Sequence, residues 1–180
     1  ALTGINFNMQ NDRYDAVFRF NGEEHPIADG LDRRALYGKF DRRRIMSLGG
    51  SDAPLNRWDT YLYPMFYADD PEVKHIAYYL TTGYPAVSVK ECNGFTSVYY
   101  GSKCIKCDVL KNLARFAGCH IYSETDDVLF ANNNYLTFHS SSTGVKKVAF
   151  PKKVSPYEVY EKKFYAHNVT ELEFDTYLGE

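Results

Sequence analysis

Several things that would place this sequence quickly are missing from it. No apolar run approaches the roughly 20 residues needed to span a bilayer, so no membrane partner is expected. The formal charge is −2, which gives no whole-domain attraction to nucleic acid or to an anionic membrane. The opening Ala1-Leu2-Thr3-Gly4-Ile5 lacks an initiator Met, a basic n-region and a long apolar h-region, and the expectation is a processed or excised segment. The four cysteines, Cys92, Cys104, Cys107 and Cys119, are too few for a disulfide-stapled miniature scaffold. They look unpaired, which favours a soluble, cytoplasmic setting, although the compartment stays open. There is no Gly-x-Ser-x-Gly nucleophile elbow, no internal repeat and no low-complexity tract.

Apolar residues make up 44% of the chain, enough to bury a core and to exclude disorder. Sixteen Tyr and twelve Phe stand against one Trp. Aromatic side chains favour pleated, half-buried surfaces, so a β-rich fold is expected.

Along the chain, Tyr14 to Phe20 alternates imperfectly and reads as a strand before the Asn21-Gly22 turn. Residues 25 to 31 read as an irregular connection. Arg33, Arg34, Lys39, Arg42, Arg43 and Arg44, offset by Asp32 and Asp41, are either an anion-binding patch or a solvated face, and charge clusters usually face water. Residues 45 to 60, with Gly49-Gly50-Ser51-Asp52 and Pro54, read as a loop. Tyr61 to Tyr67 is an aromatic strand interrupted by Pro64, a mark of an edge or bulge. Residues 74 to 80 form a strand or short helix. Ala86 to Cys92 and Thr96 to Tyr100 flank Asn93-Gly94, the strongest hairpin signal in the chain. One helix is predicted, Asp108 to Ala117, with Val109, Leu110, Leu113, Ala114, Phe116 and Ala117 on a broad apolar face and Gly118 at the C′ position. Short strands follow at 120–122, 128–130 and 135–139, the last two around Asn132-Asn133-Asn134. After Ser140-Ser141-Ser142-Thr143-Gly144 come strands at 147–150, 159–165 and 170–174, as sandwich or meander material.

The ordered motifs between 78 and 160 resemble a known family. They are Gly83-Tyr84-Pro85-Ala86-Val87, Gly94-Phe95-Thr96-Ser97-Val98-Tyr99-Tyr100-Gly101, Leu110-Lys111-Asn112-Leu113-Ala114, Ala117-Gly118-Cys119-His120-Ile121-Tyr122, Asp126-Asp127-Val128-Leu129-Phe130-Ala131-Asn132 and Tyr135-Leu136-Thr137-Phe138-His139. This series is similar to the later part of the glutamine-amidotransferase-like, trimerisation-type domain behind the catalytic barrel of family 42 β-galactosidases. His25-Pro26-Ile27 and Gly30-Leu31 also resemble that domain, and residues 145 to 165 resemble the start of the small β-domain that closes such chains. The resemblance implies residues 1–142 as the later part of the accessory domain and 143–180 as a small C-terminal β-domain. It implies an α/β, β-rich fold: a mixed sheet with one principal helix at about 108–117, plus a C-terminal β-sandwich or meander. The family's catalytic carboxylates lie on the barrel, so no residue here inherits them and no catalytic residue is expected. Only one good helix is legible, whereas a doubly wound sheet needs repeated crossover helices.

Each candidate chemistry has an ordinary competitor. Cys104-Ile105-Lys106-Cys107 is a lone Cys-x-x-Cys; with Cys92, Cys119 and His120 it has the residue types of a zinc site, but a ribbon-type site needs two close pairs. Buried thiols replacing apolar residues are the simpler account, so no metal or cofactor is expected. His120 and His139, near Glu124, Asp126 and Asp127, have the makings of acid–base chemistry, but hydrogen bonds to backbone explain them as well. The pairs Glu23-Glu24, Asp69-Asp70 and Asp126-Asp127 sit at turns and read as solvation or capping. Trp58, Tyr61, Tyr63, Phe66 and Tyr67, with Tyr99 and Tyr100, form either a sugar-stacking platform or core packing. Trp58, in a polar loop, with Tyr61 and Tyr63, is the carbohydrate-binding candidate. The leading expectation is a non-catalytic assembly domain of a glycoside-hydrolase-like protein. Its expected partners are the parent's catalytic barrel, sister copies of the chain, and a glycan on the runner-up reading.

Overall fold

The computed structural model describes residues 3–39 and 61–179. Its contacts divide the chain into two units, residues 1–113 and 114–180. Among the described residues the fold is β-rich with a single α-helix. The division falls inside that helix, whereas the change in sequence character falls near residue 143.

In the first unit, β1 (Phe7–Gln10) pairs with β5 (Met65–Ala68), and β2 (Tyr14–Asp15) pairs with β4 (Tyr61–Leu62). The expected break at Pro64 is real: the cis Tyr63–Pro64 bond separates β4 from β5. A four-stranded sheet follows the order β3 (Phe18–Arg19), β6 (Lys74–Tyr79), β7 (Pro85–Cys92), β8 (Phe95–Tyr100). The predicted strand over Tyr14 to Phe20 is therefore two short strands. Asn93-Gly94 closes the β7–β8 hairpin as expected, with Cys92 opposite Phe95.

The sheet expected to be mixed is antiparallel at every pairing among the described residues. A parallel pair needs a long crossover, usually helical, and the single described helix follows the last strand of the four-stranded sheet rather than linking two of its members.

An aromatic cluster fills this unit. Phe18 is fully buried, with ring centroids 5.3 Å from Tyr100, 5.7 Å from Phe20, 6.1 Å from Tyr37 and 6.2 Å from Tyr79. Ala77, Ala86 and Val87 of the sheet are fully buried as well. Each buried phenol finds an acceptor: Tyr79 Oη donates to Gly101 O at 2.5 Å and Tyr100 Oη to Cys104 O at 3.0 Å. This satisfies the requirement that buried polar groups be paired. Gly38 is a tight point, with φ +79° and a Cβ position that would fall 1.9 Å from Ala16 O. Only glycine lets the chain pass there.

The helix α1 (Cys107–Phe116) ends as predicted. Gly118, at φ +73°, donates to Arg115 O, and Cys119 N donates to Ala114 O, the paired bonds of a Schellman cap. Its apolar face is narrower than expected: Val109 is fully buried, but Leu110 is 53% exposed. Asn112 Nδ2 anchors the helix, donating to Ile27 O and Asp29 O.

In the second unit, β9 (Val128–Ala131) and β10 (Leu136–His139) form a hairpin around the asparagine turn. β11 (Gly144–Val154) pairs with β14 (Val169–Thr176), and β12 (Tyr157–Glu158) with β13 (Lys163–Phe164). Because Val154 faces Val169 and Tyr157 faces Phe164, residues 144 to 176 are one long, irregular hairpin. The strand expected over 159–165 is instead its tip and the start of its return arm, and residues 120–122, expected as a strand, are irregular with a bend at Tyr122. Along β11–β14 the pairs alternate. Lys146 opposite Phe174 and Val148 opposite Leu172 share one face. Lys147 opposite Glu173 and Ala149 opposite Glu171 share the other.

Candidate functional site

Among the described residues of the first unit, a cleft of about 300 Å³ is lined by Arg13, Tyr61, Leu62, Tyr63, Pro64 and Lys103. Short-range order builds it. Arg13 precedes β2, which pairs with β4 through Tyr14↔Leu62 and Asp15↔Tyr61. The β4–β5 turn then presents Tyr63, 66% exposed, and Pro64. Lys103 enters from the turn after β8, where Ser102 Oγ donates to Gly38 O and accepts from Cys104 N. Two aromatic rings, two apolar side chains and two cations thus line it, and no carboxylate does so among the described residues.

The structure brings two of the three sugar-binding candidates, Tyr61 and Tyr63, to this cleft; Trp58 lies outside the described residues, as do Arg42, Arg43 and Arg44. The wider aromatic set separates. Tyr67 is buried and stacks on Tyr84 at 4.1 Å. Tyr99 donates to Phe66 O and packs against the buried Ile5, Ala68 and Val73, and Tyr100 belongs to the Phe18 cluster. Burial raises the pKa of both phenols. Arg33 makes only an exposed, 3.9 Å pair with Glu24.

The second unit holds a buried polar network that sequence reasoning missed. The side chains of Asp127 and Lys146 are almost wholly buried, with Nζ 3.1 Å from Oδ1. Ser141 donates to the same oxygen from its N–H at 2.7 Å and its hydroxyl at 2.9 Å, and Thr125 Oγ1 donates to Oδ2. Burial alone would raise the Asp127 pKa. The hydrogen bonds from Thr125, Ser141 and Lys146 outweigh it and hold the carboxyl down to about 2. Lys146 Nζ also lies 2.8 Å from Ser142 Oγ. That spacing matches a serine–lysine dyad, but the same Nζ is committed to the ion pair with Asp127 rather than to the serine alone. The network is scaffold. Alternation along β11 was the one available signal: Lys146 lies in phase with Val148, on the inward face.

Asp70 plays the corresponding part in the first unit. Its carboxylate takes Lys90 Nζ at 2.8 Å and the N–H groups of Asn6 and Glu72. These bonds, led by that from Lys90, depress its pKa to about 2. Two of the three carboxylate pairs read as solvation or capping therefore each contribute one buried ion-pair member.

Three of the five histidines have hydrogen-bond partners that mark them as structural, while His139 ends β10 opposite Val128. His120 Nε2 donates to Ala149 O at 2.9 Å, His25 Nδ1 accepts from Ile27 N, and His75 Nδ1 is hydrogen-bonded to Ser88 Oγ at 3.0 Å. Cys92, Cys104, Cys107 and Cys119 form no disulfide. Among the described residues no three His, Cys, Asp or Glu side chains gather in a way that would hold a metal ion. No described helix is long and apolar enough to cross a membrane.

No protein-family model, curated protein or solved structure matches the chain.

Proposed function

We propose that this chain is a non-catalytic assembly module of a larger glycoside-hydrolase-like protein, acting by burying aromatic surface against its parent or a second copy. The observation that carries the reading is the tip of the 144–176 hairpin. Tyr157, Val159, Tyr160 and Phe164 are each at least 50% exposed, and Tyr160 reaches 94%. Phe130, Tyr135, Tyr177 and Leu178, all in the same unit, are also more than 60% exposed. Scattered exposed apolar residues are ordinary, but aromatic concentrations of this kind mark interaction surfaces. The class of the parent rests on the ordered motifs of residues 78–160 alone.

Light scattering and hydrophobic-dye binding test the assembly reading. Self-association or strong dye binding, abolished in Tyr160→Ser/Phe164→Ser, is expected. A strict monomer at every concentration, with no dye bound, overturns it. A barrel encoded upstream of Ala1 would support the parent class, and a different upstream domain would remove it.

The runner-up is a carbohydrate-binding module, supported by the placement of Tyr61 and Tyr63 on one cleft. Aromatic rings stack on the apolar faces of sugars while their hydroxyls hydrogen-bond. Tyr63→Ala removes glycan binding on this reading; absence of binding to any glycan sinks it.

A further inference from the structure

The hairpin of residues 144–176 carries opposite charge at its two ends. At the tip, Lys152, Lys153, Lys162 and Lys163 stand against Glu158 and Glu161, four positive charges and two negative, a net +2. At the base, the face of β11 and β14 turned away from the buried Val148 carries Glu171, Glu173 and Asp175 against Lys147, three negative charges and one positive, a net −2. Lys163 pairs with Glu161 and Lys147 with Glu171, each within its own end. Among the described residues, Lys152, Lys153, Lys162, Glu173 and Asp175 make no ion pair. The 11 residues of β11 hold the two ends apart, by about 30 Å at the rise of a strand. Each end also offers apolar surface. The tip has its exposed aromatics, and the base has Val145, Tyr177 and Leu178, each at least 65% exposed. Apolar side chains rimmed by charge are the composition of a protein–protein contact.

From this we infer that a second copy of the chain covers this surface, its hairpin lying antiparallel beside the first, with the basic tip of each on the acidic base of the other. The inference rests on the assembly reading and adds the partner and its orientation. Tip against tip sets +2 on +2, and base against base sets −2 on −2; both are repelled. A second copy carries the complementary charge at the matching separation, because its own hairpin has the same length. One tip-to-base contact alone leaves a tip and a base open and grows into a chain of copies; two such contacts about a two-fold axis close at two. Antiparallel alignment brings both into register together, so the second contact forms at high effective concentration. The tip is exposed on both faces, with Tyr157 opposite Phe164 and Glu158 opposite Lys163, so it can be reached from the face that carries the acids.

The test is a charge swap read by sedimentation and light scattering on the full chain. At low salt the chain forms dimers, and raising salt to about 1 M, where the Debye length is about 3 Å, weakens them. Lys152→Glu/Lys153→Glu turns the tip to a net −2, and Glu173→Lys/Asp175→Lys turns the base to a net +2. Each variant alone associates about tenfold or more weakly, the scale of a few exposed charge contacts reversed at two places. Circular dichroism checks that each is folded. Asp175→Lys alone, opposite the uncharged Val145, reads the same contact without setting like charges across the ladder. Mixing the tip variant with the base variant restores a dimer with one copy of each, because every tip then meets a base of opposite sign. Unchanged association of either variant, or no restoration on mixing, overturns the antiparallel pairing and leaves the assembly reading standing. Mass that climbs past two copies with concentration overturns the closed arrangement. A wild-type chain that is a strict monomer at every concentration overturns both.

Discussion

Phe18, Phe20, Ile27, Tyr37, Met65, Ile76, Tyr79, Val87 and Val109 are all buried to within 2% in the first unit. In the second unit, Val148 is the one apolar side chain among the described residues in the buried class, and its buried companions are Ser140, Lys146 and Thr176. Both units are antiparallel β-structures, yet they are stabilised differently. The first removes large apolar surface from water, the dominant favourable contribution to folding. The second relies on ladder hydrogen bonds, a buried ion pair and hydroxyl contacts such as Ser140 Oγ to Thr176 Oγ1 at 2.8 Å. A unit that leaves its aromatics outside has less intrinsic stability and more surface to offer a partner. The same feature accounts for its thin core and its proposed role.

The sharpest test of this contrast is truncation of the two cores. Phe18→Ala, which empties the centre of the aromatic cluster, should cost about 3–5 kcal/mol. Val148→Ala should cost roughly 2 kcal/mol. Urea unfolding followed by circular dichroism reads both, and equal losses would break the comparison.

Next comes the ion pair. Lys146→Met leaves Asp127 buried without its cation and should destabilise the second unit by about 3 kcal/mol. Adding Asp127→Asn should recover part of that loss, since the amide carries no charge to strand. A negligible effect of Lys146→Met would mean that the pair is not a main support of this unit.

Each unit has a carboxylate depressed to about 2, Asp70 in the first and Asp127 in the second, but the first should respond to acid earlier as well, through its histidines. Burial lowers the pKa of His75, and burial together with the Lys74 cation lowers that of His25, both below the ordinary 6.5. The unfolded chain then binds protons more readily than the native one below pH 6.5. Their contribution is complete above that pH and is lost as pH falls toward the folded values. Asp127 behaves as a depressed carboxylate, so its contribution persists until pH falls below 3.8 and is lost toward about 2. Hydrogen exchange resolved by segment should show β6 and β7 losing protection as pH falls below 6.5, before the Asp127 region responds below 3.8. An unchanged β6–β7 profile over that range would refute the histidine account.

The smallest expected change in stability is at the hairpin tip. Tyr160→Ser should alter it by no more than about 0.5 kcal/mol while reducing association or dye binding. A large stability loss would mean that the tip is packed rather than offered.

Much of the first unit was readable locally. Asn93-Gly94 named its hairpin, Pro64 its broken edge, and Gly118 the end of its helix, because turns and caps follow from the conformational freedom of a few adjacent residues. The Phe18 cluster was readable only as a composition bias, since its members come from β3, β6, β8 and the segment at Tyr37. The site was half legible: Tyr61 and Tyr63 stood out as aromatics, but Arg13 and Lys103 carried no motif.

The sequence by itself determined a β-rich chain with one capped helix and a surplus of tyrosine and phenylalanine, properties set by local preference and period. Tertiary structure decided which aromatics are core and which face outward, and it seated Lys146 against Asp127 and Lys90 against Asp70. It also placed Lys103 on the same cleft as Arg13 and Tyr63. Those pairings join residues far apart in sequence, and no local rule of spacing or propensity records a distance that only the folded chain closes.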